Sequence, residues 1–87
     1  VIDCSHGNSG KDHLRQPLVA ADVADQLAAG QRGIAGVMLE SFLVPGRQEL
    51  GGDLTYGQSV TDACMGWEPT VGVLERLAAA SAKRRTA

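Results

Sequence analysis

Three side chains in this 87-residue chain have the chemistry to hold a metal ion together: His6 in DCSHGNS, Glu40 in GVMLES and Asp62 in SVTDACMGWE. One imidazole and two carboxylates form a mixed nitrogen and oxygen donor set. Such a set suits a divalent cation such as Mn, Fe, Co or Zn. Each residue follows, or lies just beyond, a short apolar run that reads as a buried strand. Three donors are short of a full coordination shell. The chain also opens inside a strand, on Val1, and reads as the end of a larger protein.

Each of the three has an ordinary structural reading as well. A lone histidine at a strand end is commonly just a hydrogen-bonded part of the fold. Glu40 closes an apolar run and reads equally as the first solvated residue after it. Asp62 reads as an N-cap for the turn DACMG. Spacing alone leaves these readings open. Lys11, His13 and Arg15 read as solvated loop or helix residues. Cys4 and Cys64 read as small buried apolar groups.

The elements that must position these residues follow from the apolar pattern. Val1 to Cys4 reads as a strand in progress, and residues 5–12 as a polar loop. Helical signal follows in QPLVAADVADQLAAG. There Val19, Val23 and Leu27 recur on one stripe, with Ala20, Ala24 and Ala28 beside it. Pro17 fits the first turn, and Gly30 the C-terminal stop. The apolar run from Ile34 to Leu39 suits a strand covered on both faces. Ser41 to Met65 has little periodicity, and a segment that long is often functional. A last helix is expected from Glu68 or Pro69 to Lys83, burying Val71, Leu74, Leu77, Ala78 and Ser81.

This order makes two successive βα units. The fold class is α/β, a slice of an open sheet or of an eight-fold βα barrel. Side chains alternate along a strand, so Cys4 and His6 share a face if extended backbone continues through Ser5. Gly36, Met38 and Glu40 share one face of the second strand. On neighbouring barrel strands, His6 and Glu40 then both point inward at the C-terminal rim, with the loop carrying Asp62 above them.

Bulk composition narrows the setting. At this length the chain makes one domain over residues 1–87 and buries only about 60–65% of its unfolded surface. Aromatic content is 3%, so Val, Leu, Ile and Ala must fill the core. Net charge is −2, and the only basic cluster is Lys83-Arg84-Arg85, which reads as a dipole-complementing helix end. No nucleic-acid partner is expected. No apolar run approaches the ~20 residues of a membrane span. Two cysteines without metal-finger spacing point to free thiols and a cytoplasmic setting.

The wording of three segments then adds a resemblance. DCSHGNSGKDH, GVMLESFLVPGRQEL and LTYGQSVTDACMGWE closely resemble the C-terminal end of the class I 3-deoxy-7-phosphoheptulonate (DAHP) synthases, also called phospho-2-dehydro-3-deoxyheptonate aldolases. It runs through essentially the whole chain, in order. It implies a (β/α)8 TIM barrel, of which this chain is the last two units, β7-α7-β8-α8. It implies a transferase of the shikimate pathway to aromatic amino acids, which condenses phosphoenolpyruvate with erythrose 4-phosphate. It implies that the metal ligands are His6, Glu40 and Asp62, with His6 and Asp62 also taking part in catalysis. The family's fourth ligand is a cysteine near the first strand, to which neither Cys4 nor Cys64 corresponds. The family's Arg and Lys residues for the substrate phosphates lie outside these motifs. The isolated 87-residue chain is therefore expected to be inactive and to self-associate as a homo-oligomer, because a quarter barrel exposes two strand edges. The competing readings are a non-catalytic, self-associating βαβα module and another metal-dependent aldolase barrel.

Overall fold

The computed structural model describes residues 1–86. The elements are β1 (Ile2–Asp3), α1 (His6–Ser9), a 3-10 turn (His13–Arg15), α2 (Gln16–Ala28), β2 (Val37–Met38) and α3 (Trp67–Arg85). β1 and β2 pair in parallel, Ile2 with Val37 and Asp3 with Met38. The chain is therefore α/β, with a helix linking two parallel strands.

The strands are shorter than the apolar runs that announced them. Only Val37–Met38 of the 34–39 run pairs. Ile34 is buried, but as a core residue before the strand. The pairing is extended at its ends by backbone hydrogen bonds. The Ile2 N–H donates to the Gly36 carbonyl and the Cys4 N–H to that of Met38, both at 2.9 Å.

α2 begins near the expected proline and ends on the expected glycine. Pro17 occupies the first turn, where its missing N–H costs no hydrogen bond. At the other end Gly30 has φ +99°. Its N–H donates to Leu27 O and the Gln31 N–H to Gln26 O, which is a Schellman motif. Ala20, Val23, Ala24 and Leu27 are buried. They face α3 and, with Cys4, Ile34, Met65, Val73 and Ala80, make the core.

The buried face of α3 differs from expectation. Leu74 is 50% exposed and Ala78 is exposed, while Thr70, Val73 and Ala80 are buried. Val71, Leu77 and Ser81 are half-buried. The covered stripe of α3 runs through Thr70, Val73 and Ala80, and the covered face of α2 includes Ala20 and Ala24 beside Val23 and Leu27. Small side chains on both helices allow a close approach. The basic end of α3 is partly used: the Arg84 guanidinium donates to Gln31 O at 3.1 Å and to Ile34 O at 2.7 Å.

The long segment after β2 is irregular but pinned to itself. Ser41 bridges Met65, Gly46 bridges Cys64, and Arg47 bridges Ser59. Gly57, at φ +80°, passes so close to Leu43 that an added Cβ would lie 2.9 Å from the Leu43 Cβ. The radius of gyration is 14.4 Å, against about 12 Å for a compact domain of this length. Phe42, Leu43, Leu50, Leu54, Tyr56 and Trp67 are exposed. Among the described residues no helix is long and apolar enough to cross a membrane.

Candidate metal centre

His6 does not reach the site by strand alternation. β1 stops at Asp3, Ser5 is still extended, and His6 turns sharply with φ +50°. That left-handed conformation costs a residue with a Cβ about 1–2 kcal/mol. Local hydrogen bonds hold it. The His6 carbonyl accepts from the Lys11 N–H at 2.8 Å, and the Asn8 amide donates to Asp3 O at 2.6 Å. The shared face of Cys4 and His6 is thus replaced by a turn: Cys4 is fully buried, while the His6 ring is 40% exposed.

The turn brings the ring to both expected carboxylates. His6 Nε2 lies 2.6 Å from Glu40 Oε1 and 3.5 Å from Asp62 Oδ2. One donor atom from each of the three residues lies within 4.8 Å of the others. Asp62 comes from the far end of the pinned loop. The Met65 N–H donates to Glu40 O and the Phe42 N–H to Met65 O, each at 2.9 Å. These bonds run the segment before α3 alongside the end of β2 and so deliver Asp62 to Glu40.

The donor set fits a divalent cation. Donors held at about 2.1 Å from one ion stand roughly 3.0–3.4 Å apart. The His6–Asp62 separation matches, and the His6–Glu40 contact would open by a few tenths of an ångström. On the other side of the ring, Nδ1 lies 2.8 Å from Asp3 Oδ2 and 2.9 Å from Ser5 Oγ. A metal-binding histidine is usually held this way, by a carboxylate on its remaining nitrogen.

Sequence reading missed three supporting residues. Asp3 and Ser5 orient the ring, and the signal available was an acid three residues before the histidine. Gln16, 1% exposed, accepts the Glu40 N–H on its side-chain oxygen at 3.0 Å. Nothing in the sequence marks a first-turn glutamine as the anchor of a residue 24 positions away. Gln16→Leu removes that acceptor and leaves a part-buried N–H unpaired, so a stability loss of about 1–3 kcal/mol is expected by denaturant titration. A loss within error would mean that water replaces the amide.

Charge distribution tunes the ring. The hydrogen bond to Asp3 raises the His6 pKa above 6.5; burial opposes it, and the charges of Glu40, Asp3 and Asp62 add to the rise. Hydrogen bonds from the Ser5 hydroxyl, then from His6 and the Ser5 backbone, lower the Asp3 carboxyl to about 2. Without metal, the stabilisation from protonated His6 is full below 6.5 and is lost as pH rises through its raised pKa. Asp3 contributes above 3.8, and its contribution is lost as pH falls toward about 2. Metal must displace the proton from Nε2. Metal affinity is therefore expected to fall with acidification from above pH 6.5, about tenfold per pH unit, as read by metal titration at several pH values. Burial raises both cysteine thiols above their ordinary range, and both are free.

Residues 1–75 match the sequence profile of the DAHP synthetase I family. The chain is 53% identical over 92 residues to the phenylalanine-inhibited phospho-2-dehydro-3-deoxyheptonate aldolase of Saccharomyces cerevisiae, covering 100% of this chain and 25% of that protein. It is 49% identical over 96 residues to the phospho-2-dehydro-3-deoxyheptonate aldolase of Corynebacterium glutamicum, covering 100% of this chain and 26% of that protein. The solved phospho-2-dehydro-3-deoxyheptonate aldolase of Francisella tularensis superposes with a TM-score of 0.91 at 54% identity, over 95% of this chain and 24% of that one. The chain thus spans about a quarter of the length of the relatives it matches. With its three motifs in place and a profile match over most of its length, the chain belongs to the DAHP synthetase I family.

Proposed function

We propose that the complete protein carrying this chain is a 3-deoxy-7-phosphoheptulonate synthase, and that His6, Glu40 and Asp62 hold its catalytic divalent metal. The observation that carries this reading is the convergence of three donor atoms from three separate motifs, all within 4.8 Å. In this reading β1-α2-β2-α3 is the last two βα units of a (β/α)8 barrel, and the site lies at the C-terminal ends of its strands. The metal is one of Mn, Fe, Co or Zn. The complete protein works in the cytoplasm as a homo-oligomer.

The reaction joins the methylene carbon of phosphoenolpyruvate to the aldehyde carbon of erythrose 4-phosphate. Water adds at the enol-ether carbon and phosphate leaves. A bound metal supplies Lewis-acid polarisation of the aldehyde oxygen. The protein's own part is positional. His6 presents Nε2 as a neutral donor, with its other nitrogen held by Asp3. Glu40, the least exposed of the three at 21%, is fixed through its backbone by Gln16 and Met65. Asp62, at 49% exposed, is open to solvent, and this reading gives it contact with a sugar hydroxyl or the aldehyde as well as the ion.

The test is phosphate release by the complete protein from the two substrates, before and after chelation. Chelation should abolish turnover and manganese should restore it. Full turnover in excess chelator would contradict the reading. Absence of turnover with every divalent ion would favour a non-catalytic module.

A further inference from the structure

We propose that Asp3 is a positioning residue that fixes which nitrogen of His6 carries the proton, and that replacing it by its amide reverses that choice. The proposal rests on His6 being a metal ligand and deepens that reading. Asp3 Oδ1 accepts two hydrogen bonds from Ser5, one from the backbone N–H at 2.8 Å and one from the hydroxyl at 2.5 Å. Asp3 Oδ2 is then left for His6 Nδ1 at 2.8 Å. A carboxylate only accepts, so Nδ1 must donate. The Ser5 hydroxyl sits 2.9 Å from the same nitrogen and has spent its single proton on Asp3, so it too accepts there. By the same rule Nε2 of the metal-free ring donates to Glu40 Oε1 at 2.6 Å, and when a metal displaces that proton the one held by Asp3 on Nδ1 is the one that stays, which frees the Nε2 lone pair for the ion.

Asparagine at position 3 has the same shape and the opposite effect. The Ser5 backbone N–H cannot rotate away, and it demands an acceptor at the Oδ1 position. The amide oxygen must therefore point at Ser5, which turns the NH2 group toward His6 Nδ1. That NH2 donates, so Nδ1 must become the acceptor and the proton moves to Nε2. Glu40 Oε1, at 2.6 Å, is well placed to receive it. An N–H then stands where the metal would bind. Alanine at position 3 imposes no tautomer, so it should be the milder change.

The experiment uses the complete protein with ring-labelled histidine, assigning His6 by its loss in His6→Ala. Zinc-loaded wild type should show a hydrogen-bonded Nδ1–H. Metal-free D3N, at a pH where the ring is neutral, should show the Nε2–H tautomer. Zinc affinity, read by competition with a chelating dye, should drop about 100-fold in D3N and about tenfold in D3A, the range seen when a ligand's supporting partner is lost. A retained Nδ1–H in D3N, or D3N binding zinc as tightly as D3A, overturns the tautomer assignment alone. Wild-type zinc affinity in His6→Ala overturns the ligand reading and the proposal with it. Asparagine is isosteric with aspartate, so D3N remains informative even if D3A fails to fold.

Discussion

His6→Ala or Glu40→Ala in the complete protein is expected to lose the divalent ion and essentially all activity. Loss of a supporting partner costs about 10–100-fold in metal affinity or activity, and loss of a ligand itself should exceed that. The two variants should fail for different physical reasons. His6→Ala removes the only nitrogen donor and leaves Glu40 and Asp62 facing each other without the imidazole between them. Their mutual repulsion should then be felt most at low salt. Glu40→Ala removes the most protected carboxylate of the set and leaves the His6 ring with the more distant Asp62. Metal content measured on the purified variants, alongside turnover, is the check. Wild-type metal content with lost turnover would assign both residues to substrate contacts instead of coordination.

Met65→Ala should be the most destabilising single core change. Met65 is 2% exposed and is the largest fully buried side chain. Its backbone also links Glu40 to the segment that carries Asp62. Truncating a buried methionine to alanine costs about 2–5 kcal/mol, with the spread set by how far the surroundings collapse. Met65→Leu, which keeps the volume, should cost under about 1.5 kcal/mol. Denaturant unfolding of both variants in metal-loaded and metal-free protein separates packing from ligation. If Met65 acts through packing alone, the loss is the same in both forms. If it also holds Glu40 and Asp62 in register, the loss is larger with metal, because the ion then stabilises the variant less.

The sequence by itself determined the class of the fold, both long helices to within a few residues at either end, and which three side chains, His6, Glu40 and Asp62, converge. Those features are local. A 3.6-residue apolar stripe, a proline in the first turn and a glycine at φ +99° act on their own neighbourhood, so the chain announces them. The three donors were legible for another reason: they sit in motifs whose wording resembles a known family. Only the tertiary structure decided how the donors meet. His6 arrives through a left-handed turn held by Lys11 and Asn8, with its ring oriented by Asp3 and Ser5, not by continued strand alternation. Asp62 arrives because backbone bonds between residues 40 and 65 close the long segment, and no side-chain pattern records a backbone bond. The buried face of α3 also shifted, exposing Leu74 and burying Thr70 and Ala80. Helix periodicity says that one face will be covered. Which face is covered depends on the shape of the neighbour, and that is known only once the helices have packed.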